Sequence, residues 1–277
     1  MKPAPVNYHR ASSVSDAVDL LTSLGEESKV IAGGQSLVPM MSFRLARPEH
    51  LVDITRIPGL DSIELTGSEL TIGALATHQA VLESPVVRHS AGHELIARTM
   101  RHVGHLPIRT RGTVGGSIAH ADGSAEWPLL AVLFGARVVA EGATGEREVP
   151  AEELFFGLYT TCLEQDEIVT RVIFPPAKGA AGFAEYGLRH GDFALAAAGV
   201  VLPSSEGATD ARVVVSGAAP APTRLPATEV AVAAAASDAA LRQSVTTDLD
   251  ELEVDDDYQR DLVTGMVIKA VKEAHTR

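Results

Sequence analysis

The chain has 277 residues, which is enough for one large domain or two ordinary ones. Its formal net charge of -13 argues against a nucleic-acid partner, and no stretch is apolar for long enough to span a bilayer. Because the N-terminus also lacks the apolar core of a secretion signal, we expect a soluble, cytoplasmic protein. The single cysteine, Cys162, excludes an internal disulfide and an iron–sulfur cluster of the chain's own, since such clusters are usually held by four thiolates.

The N-terminal half is predicted to mix short helices and strands. Ser13 and Asp16 resemble a capping box and predict the N-terminus of a first helix, which is expected to end at Gly25. Further predicted elements are a strand at 30–32, a short helix at 37–45, a strand at 51–54, a hairpin of 62–65 and 70–73, and helices at 79–82, 86–103 and 126–134. Glycine-rich breaks interrupt this pattern at 33–36 and 112–117.

The pattern changes after Pro175-Pro176, where we expect a domain boundary. A hairpin of 137–141 and 146–149 and a strand at 167–174 precede it. After it we predict a strand at 212–215, an alanine-rich helix at 229–241, an acidic run at 248–257 that forms a solvated loop, and a final helix at 258–275.

Two glycine-rich loops carry the sharpest chemical signal. In the first, Ala32-Gly33-Gly34-Gln35-Ser36 directly follows an apolar strand, and bare glycines let backbone N–H groups converge on an anion. A helix that starts at Ser36 or Leu37 would add its own free N–H groups. The second loop, residues 111–117, repeats this pattern far along the chain. Two such loops could bind one diphosphate from opposite sides.

Neither loop matches a common nucleotide motif, because Gly-x-Gly-x-x-Gly and Gly-Lys-Ser/Thr are both missing. The missing lysine favours a dinucleotide pyrophosphate over a transferable phosphoryl group. Glycine pairs also form ordinary turns. On the residues alone, a nucleotide site and a pair of ordinary turns therefore both stay open.

We predict no catalytic residue and no metal site in this chain. Ser36 and Ser117 lie outside any Gly-x-Ser-x-Gly motif, so phosphate contact is the simpler role for both. Four histidines have spacings that could hold a metal, but without a supporting cysteine they are interpreted as surface or packing residues: His89, His93, His102 and His105.

Four motifs in register resemble one family over almost the whole chain. Residues 32 to 48 read Ala-Gly-Gly-Gln-Ser-Leu-Val-Pro-Met-Met-Ser-Phe-Arg-Leu-Ala-Arg-Pro, and residues 109 to 126 read Arg-Thr-Arg-Gly-Thr-Val-Gly-Gly-Ser-Ile-Ala-His-Ala-Asp-Gly-Ser-Ala-Glu. The other two are Gly-Ala-Leu-Ala-Thr-His at 73–78 and Gly-Asp-Phe-Ala-Leu-Ala at 191–196. Together they resemble the medium, FAD-binding subunit of the carbon monoxide dehydrogenase and xanthine dehydrogenase family of molybdenum hydroxylases.

This resemblance implies an α+β fold in two domains. Residues 1–176 would form a p-cresol methylhydroxylase-type FAD-binding domain of two α/β lobes. Residues 177–277 would form a small C-terminal sheet-and-helix domain, similar to the one that ends the carbon monoxide dehydrogenase flavoprotein. FAD would lie extended between the lobes with its isoalloxazine toward the C-terminal domain.

The resemblance also implies the residues that contact FAD. The residues expected to line the pyrophosphate are Ala32, Gly33, Gly34, Gln35, Ser36 and Leu37, and those of the facing loop are Thr113, Gly115, Gly116 and Ser117. Glu126 would accept from the sugar hydroxyls, Val169 would approach the adenine, and Phe193 would lie near the flavin ring. His78, His120 and Asp122 lie inside the same motifs as further FAD-contact candidates; the two histidines could equally cap or pack.

The same resemblance implies an assembly. A large partner subunit would hydroxylate the substrate at a molybdenum–pterin site, and a small partner would carry two [2Fe–2S] clusters that pass electrons to FAD in this chain. Reduced FAD would then pass the electrons to an external acceptor. The three subunits would form a dimer of heterotrimers. Two alternatives stay open: a self-contained FAD-dependent reductase of the same superfamily, and a nucleotide-binding module without redox turnover.

Overall fold

The computed structural model describes residues 2–277, and they begin with a small lobe built on a parallel sheet. Its elements are β1 (Asn7–Arg10), α1 (Val14–Leu24), β2 (Ser28–Ile31), α2 (Leu37–Ser42) and β3 (His50–Asp53). The strand order is β1-β3-β2, and both pairs are parallel. The predicted helix start is confirmed, because Ser13 Oγ accepts from the N–H of Asp16 at 3.0 Å. Ala17, Val18 and Leu21 of α1 are buried in this lobe's core.

A second lobe surrounds a five-stranded antiparallel sheet. Its elements are β4 (Ile63–Thr66), β5 (Glu69–Gly73), α3 (His78–Glu83), α4 (Pro85–His89), α5 (Glu94–Thr99), α6 (Leu106–Arg109), α7 (Val114–His120), α8 (Glu126–Phe134), β6 (Arg137–Gly142), β7 (Gly145–Pro150), α9 (Ala151–Leu154), β8 (Phe155–Gly157), β9 (Thr160–Thr161) and β10 (Ile168–Phe174). The sheet order is β4-β5-β10-β6-β7, and β8 with β9 forms a separate hairpin. Trp127, Leu129 and Phe174 are fully buried in the largest core of the protein.

The C-terminal part is a four-stranded antiparallel sheet with helices on both faces. Its elements are β11 (Ala181–Tyr186), β12 (Ala196–Val201), β13 (Arg212–Ser216), β14 (Thr223–Arg224), α10 (Pro226–Ala233), α11 (Asp238–Glu251) and α12 (Asp257–His275). The α12 helix covers one face, and the other face packs against α8 of the second lobe. The α8 helix lies close to strand β12, since a Cβ atom at Gly199 would lie 2.7 Å from Leu133 Cδ2.

The predicted helix over 86–103 is wrong as a single element. It is broken between α4 and α5, where Gly92 has a φ of +83°. The buried His93 fixes this break, because its Nδ1 lies 2.9 Å from Ser90 Oγ and its Nε2 lies 3.0 Å from the carbonyl oxygen of Phe174. His93 therefore has the packing role expected for these histidines.

The predicted helix over 229–241 and the predicted acidic loop are also wrong in part. Ala235 has a φ of +49° and separates α10 from α11. The start of the acidic run is helical, and Asp248 is buried. Its carboxylate accepts from the N–H groups of Ala227 and Thr228 at 2.9 and 2.8 Å, so it caps the first turn of α10.

The two lobes and the C-terminal part each combine a sheet with helices, which confirms the predicted α+β class. Six short or apolar strands were not predicted from the sequence: β1, β8, β9, β11, β12 and β14. Within residues 2–277, no helix combines the length and the apolar character that crossing a membrane would need.

Candidate functional site

The first glycine loop presents a row of free backbone donors. Within residues 2–277, no protein acceptor is found for the N–H groups of residues 33–36. Gly34 has a φ of +70°, and the side chain of Gln35 donates back to the carbonyl oxygen of Gly33 at 3.1 Å. Consecutive N–H groups that lack internal acceptors are suited to bind an anion.

The second glycine loop lies directly against the first. A Cβ atom at Gly33 would overlap the carbonyl group of Arg111, coming within 2.7 Å of its carbon and 2.9 Å of Gly112 Cα. Only glycine permits this approach at position 33. The two separated loops therefore meet at one place, as a shared binding site requires.

The second loop differs from its predicted form, because it is mostly the first turn of α7. Thr113 is the N-cap, and its Oγ1 accepts from the N–H of Gly116 at 3.1 Å. The other N–H groups of residues 114–117 donate to carbonyl oxygens of Ala76, Ala74 and Thr113. Residues 114–117 thus contribute no free N–H group, whereas residues 33–36 contribute four. The second loop adds the exposed backbone of Gly116 and the half-buried side chain of Ser117.

His78 supports the second loop from inside the protein. A Cβ atom at Gly112 would lie 2.7 Å from its Nε2, and its Nδ1 accepts from Trp127 Nε1 at 2.9 Å. Burial lowers the pKa of His78 to about 4, and the charge of Arg109 acts in the same direction. His78 is therefore a neutral, buried packing residue that joins the loop to α8.

The segment from α7 to α8 carries the other predicted polar contacts. His120 is half-buried, and burial lowers its pKa. Asp122 is buried, and its Oδ1 accepts from the N–H of Ser124 at 2.9 Å. A Cβ atom at Gly123 would lie 3.0 Å from the carbonyl carbon of Pro220, so this segment touches the C-terminal part.

Glu126 begins α8 near a second acidic residue, Glu185. Burial raises the pKa of the Glu126 carboxyl to about 8, and the nearby carboxylate of Glu185 raises it further. Glu185 Oε1 itself pairs with His102 Nδ1 at 3.0 Å, and this hydrogen bond raises the pKa of His102. We therefore expect the Glu126 carboxyl to carry a proton at neutral pH.

A Glu126→Gln variant should lose part of the pH dependence of stability. The folded chain holds a proton on Glu126 between about pH 4.5 and 8 that the unfolded chain releases. The free energy of unfolding should therefore fall as pH rises across this window, by up to about 1.4 kcal/mol per pH unit from this one group. Urea unfolding of both proteins at several pH values measures the slope.

His102 titrates nearby and remains in both proteins, and its charge interacts with the Glu126 carboxyl, so the difference in slope between the two proteins includes this interaction. Glu206→Gln, at an exposed position in the C-terminal part, is the matched control and should leave the slope unchanged. Equal slopes for the native chain and Glu126→Gln would contradict the assignment of a protonated carboxyl.

Two further predicted contacts lie on other elements of the chain. Val169 is 4% exposed and belongs to the main core, on β10 where the strand register shifts. Phe193 is 60% exposed, between β11 and β12. Its segment reaches the second lobe through Gly191, where a Cβ atom would lie 3.0 Å from His105 Nδ1.

One further residue of this region was missed. Tyr159, at the tip of the β8–β9 hairpin, contacts the last residue of α7 and the residue that follows it. No sequence signal marked it, because neither strand of the hairpin was predicted.

The family model described as FAD binding domain in molybdopterin dehydrogenase matches residues 4–177. The chain belongs to this family. It is 36% identical over 288 aligned positions to the nicotine 6-hydroxylase medium subunit of Paenarthrobacter nicotinovorans, covering 100% of both chains. It is also 36% identical over 290 positions to the carbon monoxide dehydrogenase medium chain of Hydrogenophaga pseudoflava, covering 100% of this chain and 99% of the relative.

Solved structures with a similar fold support the membership of this family. The fold matches carbon monoxide dehydrogenase from Hydrogenophaga pseudoflava with a TM-score of 0.92 and 35% identity, over 100% of this chain and 99% of that chain. It matches quinoline 2-oxidoreductase from Pseudomonas putida 86 with a TM-score of 0.89 and 27% identity, over the same shares. The family, the fold class and the predicted class of FAD-binding oxidoreductase subunit are thereby confirmed.

Proposed function

We propose that this chain binds one FAD and passes electrons as the medium subunit of a molybdenum hydroxylase. The observation that carries the proposal is the row of free N–H groups at residues 33–36, held against the Arg111 carbonyl of the second loop. A diphosphate would satisfy these donors, which otherwise remain without protein partners. Bound FAD would supply the redox chemistry, since it accepts and releases electrons.

The residues around the loops fit the remaining parts of FAD. Gln35, Ser36 and Leu37 continue the first loop, and Ser117 can donate from the second. The carboxyl of Glu126 would hydrogen-bond the sugar hydroxyls of FAD. It would either donate its proton to a hydroxyl oxygen or, once ionised, accept hydrogen bonds from the hydroxyl groups. In this proposal the residues of the FAD site are Ala32, Gly33, Gly34, Gln35, Ser36, Leu37, His78, Thr113, Gly115, Gly116, Ser117, His120, Asp122, Glu126, Val169 and Phe193, and His78 supports the second loop rather than contacting FAD itself.

We place the boundary between the FAD-binding domain, 1–176, and the C-terminal domain, 177–277, after Pro175-Pro176. The end of β10 at Phe174 and the extent of the family match, residues 4–177, support this position. Because α8 packs on the C-terminal sheet, the two domains share an apolar contact.

The partners follow from the same proposal. The relatives are named as medium subunits or medium chains, which indicates a multi-subunit enzyme. We infer a small partner with two [2Fe–2S] clusters and a large partner with the molybdenum–pterin cofactor, in a cytoplasmic dimer of heterotrimers. This chain has only one cysteine, so the clusters would belong to the small partner.

The complex isolated from its native source tests this proposal. We expect two other polypeptides to co-purify with the chain, with one FAD, about four iron atoms and about one molybdenum per chain. If the chain purifies without partner polypeptides but with bound FAD and reductase activity, the self-contained reductase is favoured. If the purified chain contains no flavin and binds none after FAD is added, the nucleotide-binding module without redox turnover is favoured.

A further inference from the structure

Tyr159 is held in a backbone conformation that side chains rarely adopt. Its φ is +56°, at the third position of the turn that joins β8 to β9. Glycine or asparagine is the usual residue at such a position, because a Cβ atom is strained there. The side chain is 53% exposed, so burial of the ring in the core does not offset this strain.

Tyr159 contacts three consecutive residues at the end of α7 and just after it. Its N–H donates to the carbonyl oxygen of Ala121 at 3.0 Å, and its ring centroid lies 4.9 Å from that of His120. Its hydroxyl lies 3.4 Å from Asp122 Oδ2, which is a long hydrogen bond. Ala121 also has a positive φ, +52°, so one hydrogen bond joins two strained residues.

Strained backbone persists where the surrounding contacts determine it, and it is concentrated at binding sites. The α7 helix begins at the second glycine loop and ends at the residues that Tyr159 contacts. We propose that Tyr159 is a positioning residue that holds His120 and Asp122 in place for FAD. This inference rests on the proposed function and adds a residue to its site.

Replacement of Tyr159 by asparagine tests the inference. Asparagine tolerates a positive φ, so Tyr159→Asn removes the ring and relieves the strain. FAD titration of the full-length apoprotein should show a dissociation constant at least about tenfold higher than for the native chain, a difference well above measurement error. The melting temperature of the apoprotein should stay the same or rise. Tyr159→Phe, which keeps the ring and the N–H, should bind FAD within about threefold of the native chain.

The matched control is Glu253→Asn, because Glu253 is an exposed residue with a φ of +55° between α11 and α12. It should leave FAD affinity unchanged. If Tyr159→Asn binds FAD within about twofold of the native chain, or loses affinity only together with apoprotein stability, the positioning role is wrong. Tyr159→Gly gives the same readout should the asparagine variant fail to fold. Absence of FAD binding by the native chain would instead contradict the proposed function itself.

Discussion

Gly33→Ala should weaken FAD binding about 100-fold or more. The added Cβ would overlap the Arg111 carbonyl group, so the two loops must separate and the free N–H groups of residues 33–36 must move. A loss of 100-fold corresponds to about 2.7 kcal/mol of binding free energy. Overpacking of this kind also costs roughly 1–3 kcal/mol of folding stability. Isothermal titration of apoprotein with FAD measures the first effect, and urea unfolding measures the second.

Gly265→Ala is the matched control for this substitution. Gly265 lies within α12, a Cβ atom there would meet nothing within 4 Å, and alanine is the better helix former. Its FAD affinity should equal that of the native chain, and its stability should rise by roughly 0.5–1 kcal/mol. If Gly33→Ala bound FAD as tightly as Gly265→Ala, the first loop would not be the diphosphate site.

His78→Leu should lower the free energy of unfolding by about 2–3 kcal/mol. The substitution leaves the buried Trp127 Nε1–H without its acceptor, and a buried unsatisfied donor costs roughly 1–3 kcal/mol. It also removes the imidazole on which Gly112 packs. Urea unfolding at pH 7 should show a lower midpoint at an unchanged slope of free energy against urea concentration.

The pH dependence of the same variant provides a separate test. The pKa of His78 is about 4 in the folded chain and 6.5 in the unfolded chain, so only the unfolded chain binds a proton between these values. The stability of the native chain should therefore fall as pH decreases from 6.5 toward 4. In His78→Leu this contribution disappears. A variant with the same acid sensitivity as the native chain would contradict a buried neutral His78.

A double variant separates the hydrogen bond from packing. Trp127→Phe alone leaves His78 Nδ1 without its donor, whereas His78→Leu with Trp127→Phe removes both partners. Replacement of both partners by apolar groups is less costly than the two single losses added together. We expect the double variant to be more stable than this sum by about 1 kcal/mol. Strict additivity would mean that the Trp127–His78 bond does not stabilise the native chain.

Local signals predicted the first loop and several elements around it. The apolar strand before Gly33, the capping pair Ser13 and Asp16, and the turn at Gly67 each act within a few residues of the chain. The meeting of the two loops was also expected, although it spans almost 80 positions. That expectation came from the combined motifs, since the overlap at Arg111 depends on tertiary packing.

Contacts between distant residues explain the failures. The break before α5 depends on a bond from His93 to Phe174, and the helical Asp248 caps a helix that begins some twenty residues earlier. The N–H groups of the second loop looked free in sequence, but strand-end carbonyl groups at Ala74 and Ala76 accept two of them. Tyr159 gave no signal because the turn that contains it was not recognised, and the proximity of Glu185 to Glu126 depends on strand β11, which was not predicted.

A crystal structure of the FAD-bound chain tests the central claim most directly. We expect the diphosphate oxygens to lie within hydrogen-bond distance of the N–H groups of residues 33–36, with Gly116 and Ser117 on the opposite side. A diphosphate bound elsewhere, with residues 33–36 still without acceptors, would contradict it.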